Sequence, residues 1–302
     1  MQGRFLLYIL LVMEKVYLEI TNICNLSCSF CHGTKRALRK MTMDEFNILT
    51  DKLQGKAKHM YFHLMGEPLL HPQLSEFIDI SRHKGFIPVI TTNGTLLGSV
   101  REKLIEARPF KISISLQSYE GNETQSEEKL NQYLEQICSF SKAAAPDIII
   151  VLRLWNKGGK DAENGKIESF LHNAFPGEWR QNRSGFALAD KVFLEYGKNF
   201  DWPDKGCEEK TGEYFCYGLR NQVGVLVDGT VVPCCLDADG TVALGNLFEQ
   251  DLDEILASPR AKAIYDGFSM HTAVEELCKH CGYAAITNNY HGTKNSPYAK
   301  RP

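Results

Sequence analysis

The sequence predicts an α/β fold: six β-then-α units forming a partial barrel, followed by a small module of hairpin and helix. Three observations carry this expectation. From residue 16 to about 196, short runs rich in β-branched and aromatic residues alternate with amphipathic stretches. The residues with the most chemistry fall just after the strand-like runs, where parallel barrels gather their functional groups. After Tyr196 the alternation stops, and a turn-rich, cysteine-bearing segment begins.

In order, strands are expected at 16–20, 59–64, 86–91, 110–116, 147–154 and 191–196. The first helix is expected at 42–53, opened by Thr42-Met43-Asp44-Glu45, in which the Thr and Glu side chains can cap each other's backbone N–H. A second, at 72–84, has Pro72 in its first turn. Helices at 97–107 and about 126–145 follow; the latter places Leu130, Tyr133, Leu134, Ile137 and Ser141 on one face. The last, at 162–174, has a weaker pattern. A parallel sheet of this size, covered by helices, curves into a TIM-like (β/α)6 partial barrel.

Beyond a connector at 197–205, Val223 to Val227, Asp228-Gly229 and Thr230 to Val232 read as a hairpin with a tight primed turn. A helix is expected near 252–265. The expected division is therefore a leading extension at 1–15, a barrel at 16–200, a cysteine module at 207–287 and a turn-rich tail at 288–302. The apolar run 5–13 is too short to span a bilayer and is followed by Glu14 and Lys15 without a cleavage-site pattern, so a cytoplasmic protein is expected, starting either at Met1 or at Met13. The formal net charge of -3, with both signs mixed along the chain, argues against a nucleic-acid partner.

Seven of the ten cysteines form two groups: Cys24, Cys28 and Cys31, then Cys216, Cys234, Cys278 and Cys281. Short-range clustering of this kind reads as metal ligation in a reducing compartment more than as a disulfide framework. A 4Fe–4S cubane held by three thiolates leaves one iron open to a small molecule, whereas four thiolates close a cluster. Other chemistries fit parts of the pattern. Cys28 to His32 spells a c-type haem attachment sequence, although an export signal is lacking. Zinc could sit on the first group with His32, or on the four later cysteines. Of the remaining cysteines, Cys138 falls near the apolar face of the fourth helix and reads as a buried small hydrophobe, and Cys207 has no evident role.

Cys24-x3-Cys28-x2-Cys31, with Phe30 before the last cysteine, resembles the signature of the radical S-adenosylmethionine (SAM) superfamily. Met65-Gly66-Glu67-Pro68 is similar to that superfamily's Gly-Gly-Glu motif, with Met65 at the first glycine. The resemblance implies SAM contacts from Gly66 and Glu67, the latter toward the amino group, and from Asn93, Ser115, Gln117 and Arg153, the arginine toward the carboxylate. Bland readings stand beside these: Asn93 as a turn former and Arg153 as a barrel-end ion pair. The chemistry implied is reductive SAM cleavage to a 5′-deoxyadenosyl radical that takes a hydrogen atom from substrate, with reduced flavodoxin or ferredoxin as electron donor.

The second group resembles the Twitch module, a shortened SPASM domain, which implies one auxiliary 4Fe–4S cluster. Cys235, next to Cys234, is the candidate catalytic thiol, a hydrogen-atom donor to a substrate radical, with an inert buried thiol as its alternative. The architecture implies a peptide substrate for oxidation or epimerisation. The short span from Met13 to Cys24 leaves little room for a peptide-recognition domain, which keeps an aminosugar-type small-molecule dehydrogenase as the second expectation. The third is a non-enzymatic iron–sulfur or zinc protein, which would not bind SAM.

Overall fold

The computed structural model describes residues 12–122, 126–210, 215–284 and 286. Of the expected extension at 1–15, residues 1–11 lie outside them and Met13 to Lys15 instead belong to the first strand; the expected tail at 288–302 lies outside them as well. The chain opens with β1 (Met13–Leu18), α1 (Met43–Leu53), β2 (Ala57–Tyr61), α2 (Leu74–His83), β3 (Ile87–Thr92) and α3 (Leu97–Ala107). It continues with β4 (Lys111–Ser115), α4 (Glu127–Ala144), β5 (Ile149–Lys157) and α5 (Asn164–Ala174). Strands β1 to β5 pair in parallel and in sequence order, as the alternating pattern requires.

Local chemistry sets the helix starts. Thr42 and Glu45 form the expected capping box, and Ser126 caps α4 through the Lys129 N–H. The expected start of α2 shifts: Gln73 is its N-cap, and Pro72 precedes the helix.

After α5 the chain departs from the simple repeat. Two strands absent from the sequence expectation, β6 (Arg180–Gln181) and β7 (Gly185–Ala189), form an antiparallel hairpin before β8 (Val192–Lys198), the expected sixth strand. The Asn182 side chain closes their turn by accepting from the Ser184 and Gly185 amides. β8 pairs in parallel with β5 on one side and antiparallel with β7 on the other.

The cysteine module joins the same sheet. β9 (Gln222–Val225) lies parallel to β1, β10 (Thr230–Val232) pairs back on β9, and β11 (Gly245–Asn246) ends the order β11-β10-β9-β1-β2-β3-β4-β5-β8-β7-β6. Helices α6 (Leu252–Leu256), α7 (Pro259–Ser269) and α8 (Glu276–Lys279) follow. The primed turn expected at Asp228-Gly229 is not formed. Leu226 O accepts from the Gly229 N–H, only Gly229 has positive φ in this turn (84°), and the Val227 N–H goes to the Glu19 carboxylate.

Alternate strand residues take opposite roles. Val16, Leu18, Met60, Phe62, Ile112, Ile114, Ile150, Leu152, Leu154, Val192 and Leu194 belong to one core beneath the helices, in which the rings of Phe46 and Phe77 stack 3.9 Å apart. The period of two therefore turns Lys15, Tyr17, Tyr61, His63, Lys111, Ser113, Ser115, Arg153, Trp155 and Glu195 to the opposite, inner face.

Candidate active site

The loop after β1 carries Cys24, Cys28 and Cys31, all free thiols at least partly open to solvent. Asn22 closes the base of this loop, donating to the Ala37 carbonyl at 2.9 Å and accepting from the Arg39 amide at 2.8 Å. N–H groups point at each sulfur: Leu26 N lies 3.5 Å from Cys24 Sγ, Asn122 Nδ2 3.0 Å from Cys28 Sγ, and Gly33 N 3.5 Å from Cys31 Sγ. Burial at the loop pushes all three thiols up, and repulsion among them adds to the rise at Cys24 and Cys28. Three crowded thiols with N–H donors aimed at them suit a cationic iron centre, which would hold them as thiolates.

The ends of β2 and β3 meet this loop. Gly66 sits at φ 78° against the first loop; a Cβ there would lie 2.4 Å from the Thr21 carbonyl oxygen, so only glycine fits. The Glu67 amide donates to Ile23 O at 2.8 Å. Its buried carboxylate accepts from Asn93 N at 2.7 Å and Leu69 N at 3.0 Å, and burial raises its pKa to about 7. Asn93 Nδ2 in turn reaches Asn25 Oδ1 at 3.0 Å and Cys24 Sγ at 3.9 Å. The Tyr133 hydroxyl fixes the Asn93 carbonyl at 2.7 Å. Gly66, Glu67, Asn93 and Cys24 are thus one contiguous group. Met65, at the first glycine of the motif, is buried and gives its N–H to Glu19 Oε1 at 3.2 Å.

Ser115 ends β4 and Gln117 lies in the short 3-10 turn that follows it; Ser115 is the register partner of Arg153 on β5. Arg153 stacks on Trp155, 4.4 Å from the ring centroid to the guanidinium carbon, and Gly197 leaves room for that indole. Among the described residues, Thr91 Oγ1, Ser113 Oγ, His63 Nδ1 and Arg153 Nε on the inner face, together with Gln117 Oε1, are buried without a hydrogen-bond partner. Buried polar atoms left open in this way fit a polar ligand that is itself rich in donors and acceptors.

The second cysteine group assembles from three places. Cys216 precedes β9, with the Gly218 amide 3.3 Å from its sulfur; Cys234 follows β10; Cys278 lies in α8, and the Cys281 amide bonds the Cys278 carbonyl. Burial drives all four thiols up, Cys216 to about 12, and repulsion from the other thiols adds to the rise at Cys216, Cys234 and Cys278. Cys207 is exposed and contributes its carbonyl to His280 Nδ1 at 2.7 Å, while Cys138 is buried in α4. Cys235 packs with Tyr17 against Leu64, Leu226 and Val232, which places it against the inner face of the barrel. Among the described residues no three Cys, His, Asp or Glu side chains converge on a single metal ion. A cubane, by contrast, spreads its ligands over separate irons.

Several residues that hold the site are not evident from sequence. Asn122 ties the first loop to the end of β4 through Ser27 N, Cys28 Sγ and Ser118 O. Trp202 donates to the Phe30 carbonyl at 3.0 Å and stacks near His32. Asp239, five residues past Cys234, accepts from Thr34 Oγ1 at 2.9 Å and Lys35 N at 2.8 Å, and lies 3.6 Å from His32. Arg36 bridges the Ala238 carbonyl and the fully buried Glu19. The two cysteine groups are therefore latched to each other by polar contacts. The only signals in sequence were an acid, Glu19, within the first strand region and another, Asp239, soon after a candidate ligand.

A helix-covered parallel sheet with a three-cysteine loop at its strand ends and a four-cysteine module on its edge is an arrangement suited to an iron–sulfur protein. Residues 18–156 match the model of the Radical SAM superfamily, and residues 216–282 match that of SPASM, an iron-sulfur cluster-binding domain. The chain carries both domains, and with them the places for a SAM-binding 4Fe–4S cluster, SAM itself and auxiliary iron–sulfur ligation in the SPASM domain.

A tungsten-containing aldehyde ferredoxin oxidoreductase cofactor-modifying protein of Pyrococcus furiosus is 37% identical over 89 residues, 28% of this chain and 25% of that protein. The stretches matched in this and two other curated relatives cover 25%, 33% and 29% of their lengths. The antilisterial bacteriocin subtilosin biosynthesis protein AlbA of Bacillus subtilis is 23% identical over 93% of this chain and 70% of its own. Among solved structures, BtrN in complex with AdoMet and 2-DOIA superposes with a TM-score of 0.58 at 18% identity, covering 90% of this chain and 93% of that one. No helix among the described residues is long and apolar enough to cross a membrane.

Proposed function

We propose that the protein uses SAM to oxidise or epimerise a peptide, with Cys24, Cys28 and Cys31 as ligands of the SAM cluster and Cys216, Cys234, Cys278 and Cys281 as ligands of one auxiliary cluster. The single observation that carries this is the contiguity of Cys24, Asn93, Glu67 and Gly66 at the strand ends. When bound, the cluster and SAM supply a 5′-deoxyadenosyl radical that takes a hydrogen atom from substrate.

The chain's own part is to bind, orient and exclude water. The backbone of Gly66 and Glu67 offers hydrogen-bonding groups to the amino acid end of SAM, beside the carboxylate of Glu67. Asn93, Ser115 and Gln117 line its path, and Arg153 is the candidate partner of its carboxylate. The closure of the first loop by Asn122, Trp202 and Asp239 fixes the cysteines against the barrel mouth. Cys235, packed beside Tyr17, is the candidate hydrogen-atom donor to a substrate radical. Reduced flavodoxin or ferredoxin is the proposed donor of the electron.

A peptide substrate rests on the likeness to AlbA, a bacteriocin biosynthesis protein, over most of both chains. The structural likeness to BtrN over nearly the whole of both chains keeps a small-molecule dehydrogenase as the second reading. Equilibrium binding of SAM to the anaerobically reconstituted protein, followed by 5′-deoxyadenosine release on reduction, tests the proposal. A protein that takes up iron yet neither binds nor cleaves SAM would refute it.

A further inference from the structure

We infer that the inner face of the barrel holds an anionic group of the substrate, a carboxylate or phosphate, between Lys15 and Lys111, beside the guanidinium of Arg153. This rests on the SAM-dependent reading above and names the substrate class for that site. The three cations come from three strands, β1, β4 and β5, the two lysines over one aromatic ring and the arginine over another. Lys15 Nζ lies 5.8 Å and Lys111 Nζ 5.9 Å from the centroid of the Tyr61 ring. Arg153 stacks on Trp155 on the same face, its Nε buried and unpartnered among the described residues.

The surrounding groups do not neutralise this cluster. Glu195, the register partner of Arg153, is the one acid of β8 turned to this face. Glu14, beside Lys15, is engaged by Lys58 and His59 on the neighbouring strand. His63 is kept neutral, its pKa lowered to about 3 by burial and by Arg153. The Lys111 ammonium is disfavoured by burial and then by Arg153, with Glu195 only partly offsetting them. Three cations facing one acid in a partly desolvated cleft repel one another, and an anion placed among them removes that repulsion. A SAM carboxylate on Arg153 would satisfy one of the three and leave the two lysines to the substrate, so the lysines carry the test. An anion held there lies against Tyr61, whose ring is 4.8 Å from that of Tyr17, which packs beside Cys235. The substrate would thus be anchored beside the thiol proposed to return a hydrogen atom to its radical, the S–H bond breaking as the C–H bond forms.

The experiment is calorimetric titration of the reconstituted protein with SAM present, using two matched pairs of probes. One pair is N-acetyl-triglutamate amide and N-acetyl-triglutamine amide; the other is glucosamine 6-phosphate and glucosamine. The charged member of one pair should bind at least about tenfold tighter, which also tells a peptide carboxylate from a sugar phosphate. That preference should weaken as salt rises. It should vanish in Lys15→Met/Lys111→Met, which keeps the aliphatic stems, and persist in Lys15→Arg/Lys111→Arg. Equal binding within both pairs, a preference indifferent to salt, or one that survives in the methionine variant overturns the inference. Release of 5′-deoxyadenosine by the native protein in the same buffer reports separately on the SAM reading.

Discussion

The carboxylate of Glu19 accepts a hydrogen bond from the amide of Val227 at 3.0 Å, across 208 residues of chain. The same fully buried carboxylate takes the Met65 amide and the Arg36 guanidinium. One side chain therefore joins the first cysteine loop, the Met65-Gly66-Glu67 turn and the hairpin that precedes Cys234. It also explains why that hairpin turns at Leu226 to Gly229 and not about Asp228-Gly229 alone: the Val227 N–H is already engaged.

Glu19→Ala should be strongly destabilising, because it leaves a largely buried arginine and two amides without their acceptor. Breaking a buried pair in this way costs about 3–5 kcal/mol. Urea unfolding should show a lower midpoint with an unchanged slope, and a midpoint equal to that of the native protein would mean that water replaces the carboxylate.

Reconstitution without oxygen should load about eight irons per chain, the content of two cubanes. Replacing Cys24, Cys28 and Cys31 together with alanine should remove about half of that iron and abolish SAM cleavage, while the four-cysteine group keeps its share. Elemental analysis decides it; zinc as the main metal of the native protein would contradict both ligand assignments.

Glu67→Gln should weaken SAM binding by about 1–3 kcal/mol, since a charge-assisted acceptor becomes a neutral one. The carboxamide can also accept from only one of Asn93 N and Leu69 N, because its NH2 end would face a donor. Equilibrium dialysis with labelled SAM reads the effect. Native affinity in the variant would confine Glu67 to holding the turns.

Cys235→Ala should keep both clusters and still release 5′-deoxyadenosine, yet lose or divert the product. If the enzyme epimerises its substrate, deuterium from solvent should enter the product of the native protein and not that of the variant. Product formed by Cys235→Ala at the native rate would show that the thiol only packs against Tyr17.

Much of this architecture was legible because short-range signals decide it. The capping pair Thr42 and Glu45, the α4 face from Leu130 to Ser141 and the period-two strands all act within a few residues of themselves. The grouping of Cys24 with Glu67 and Asn93 followed from strand order, because parallel strands bring their C-terminal ends together. What stayed hidden depends on distant partners. β6 is two residues long and exists by pairing with β7, and Gly185 is needed there because a Cβ would strike the Leu194 carbonyl oxygen. Asn122 and Trp202 carry no local signature; their importance lies in a sulfur 94 residues away and a carbonyl 172 residues away. The shared sheet was equally invisible, since nothing in Gln222 to Val225 declares that its neighbour is β1.

The latch between Thr34 and Asp239, 205 residues apart, also sets a clock on the birth of the molecule. At ribosomal speeds of about 5–20 residues per second, the segment that steadies the first cysteine loop emerges about ten to forty seconds after the loop itself. For that interval three thiols are displayed on an unfinished strand edge, because β9 has yet to arrive beside β1. Iron delivered during synthesis would meet a loose loop, and oxygen would meet unguarded sulfur. Loading of the first site therefore belongs after Asp239 has emerged and β9 has docked beside β1.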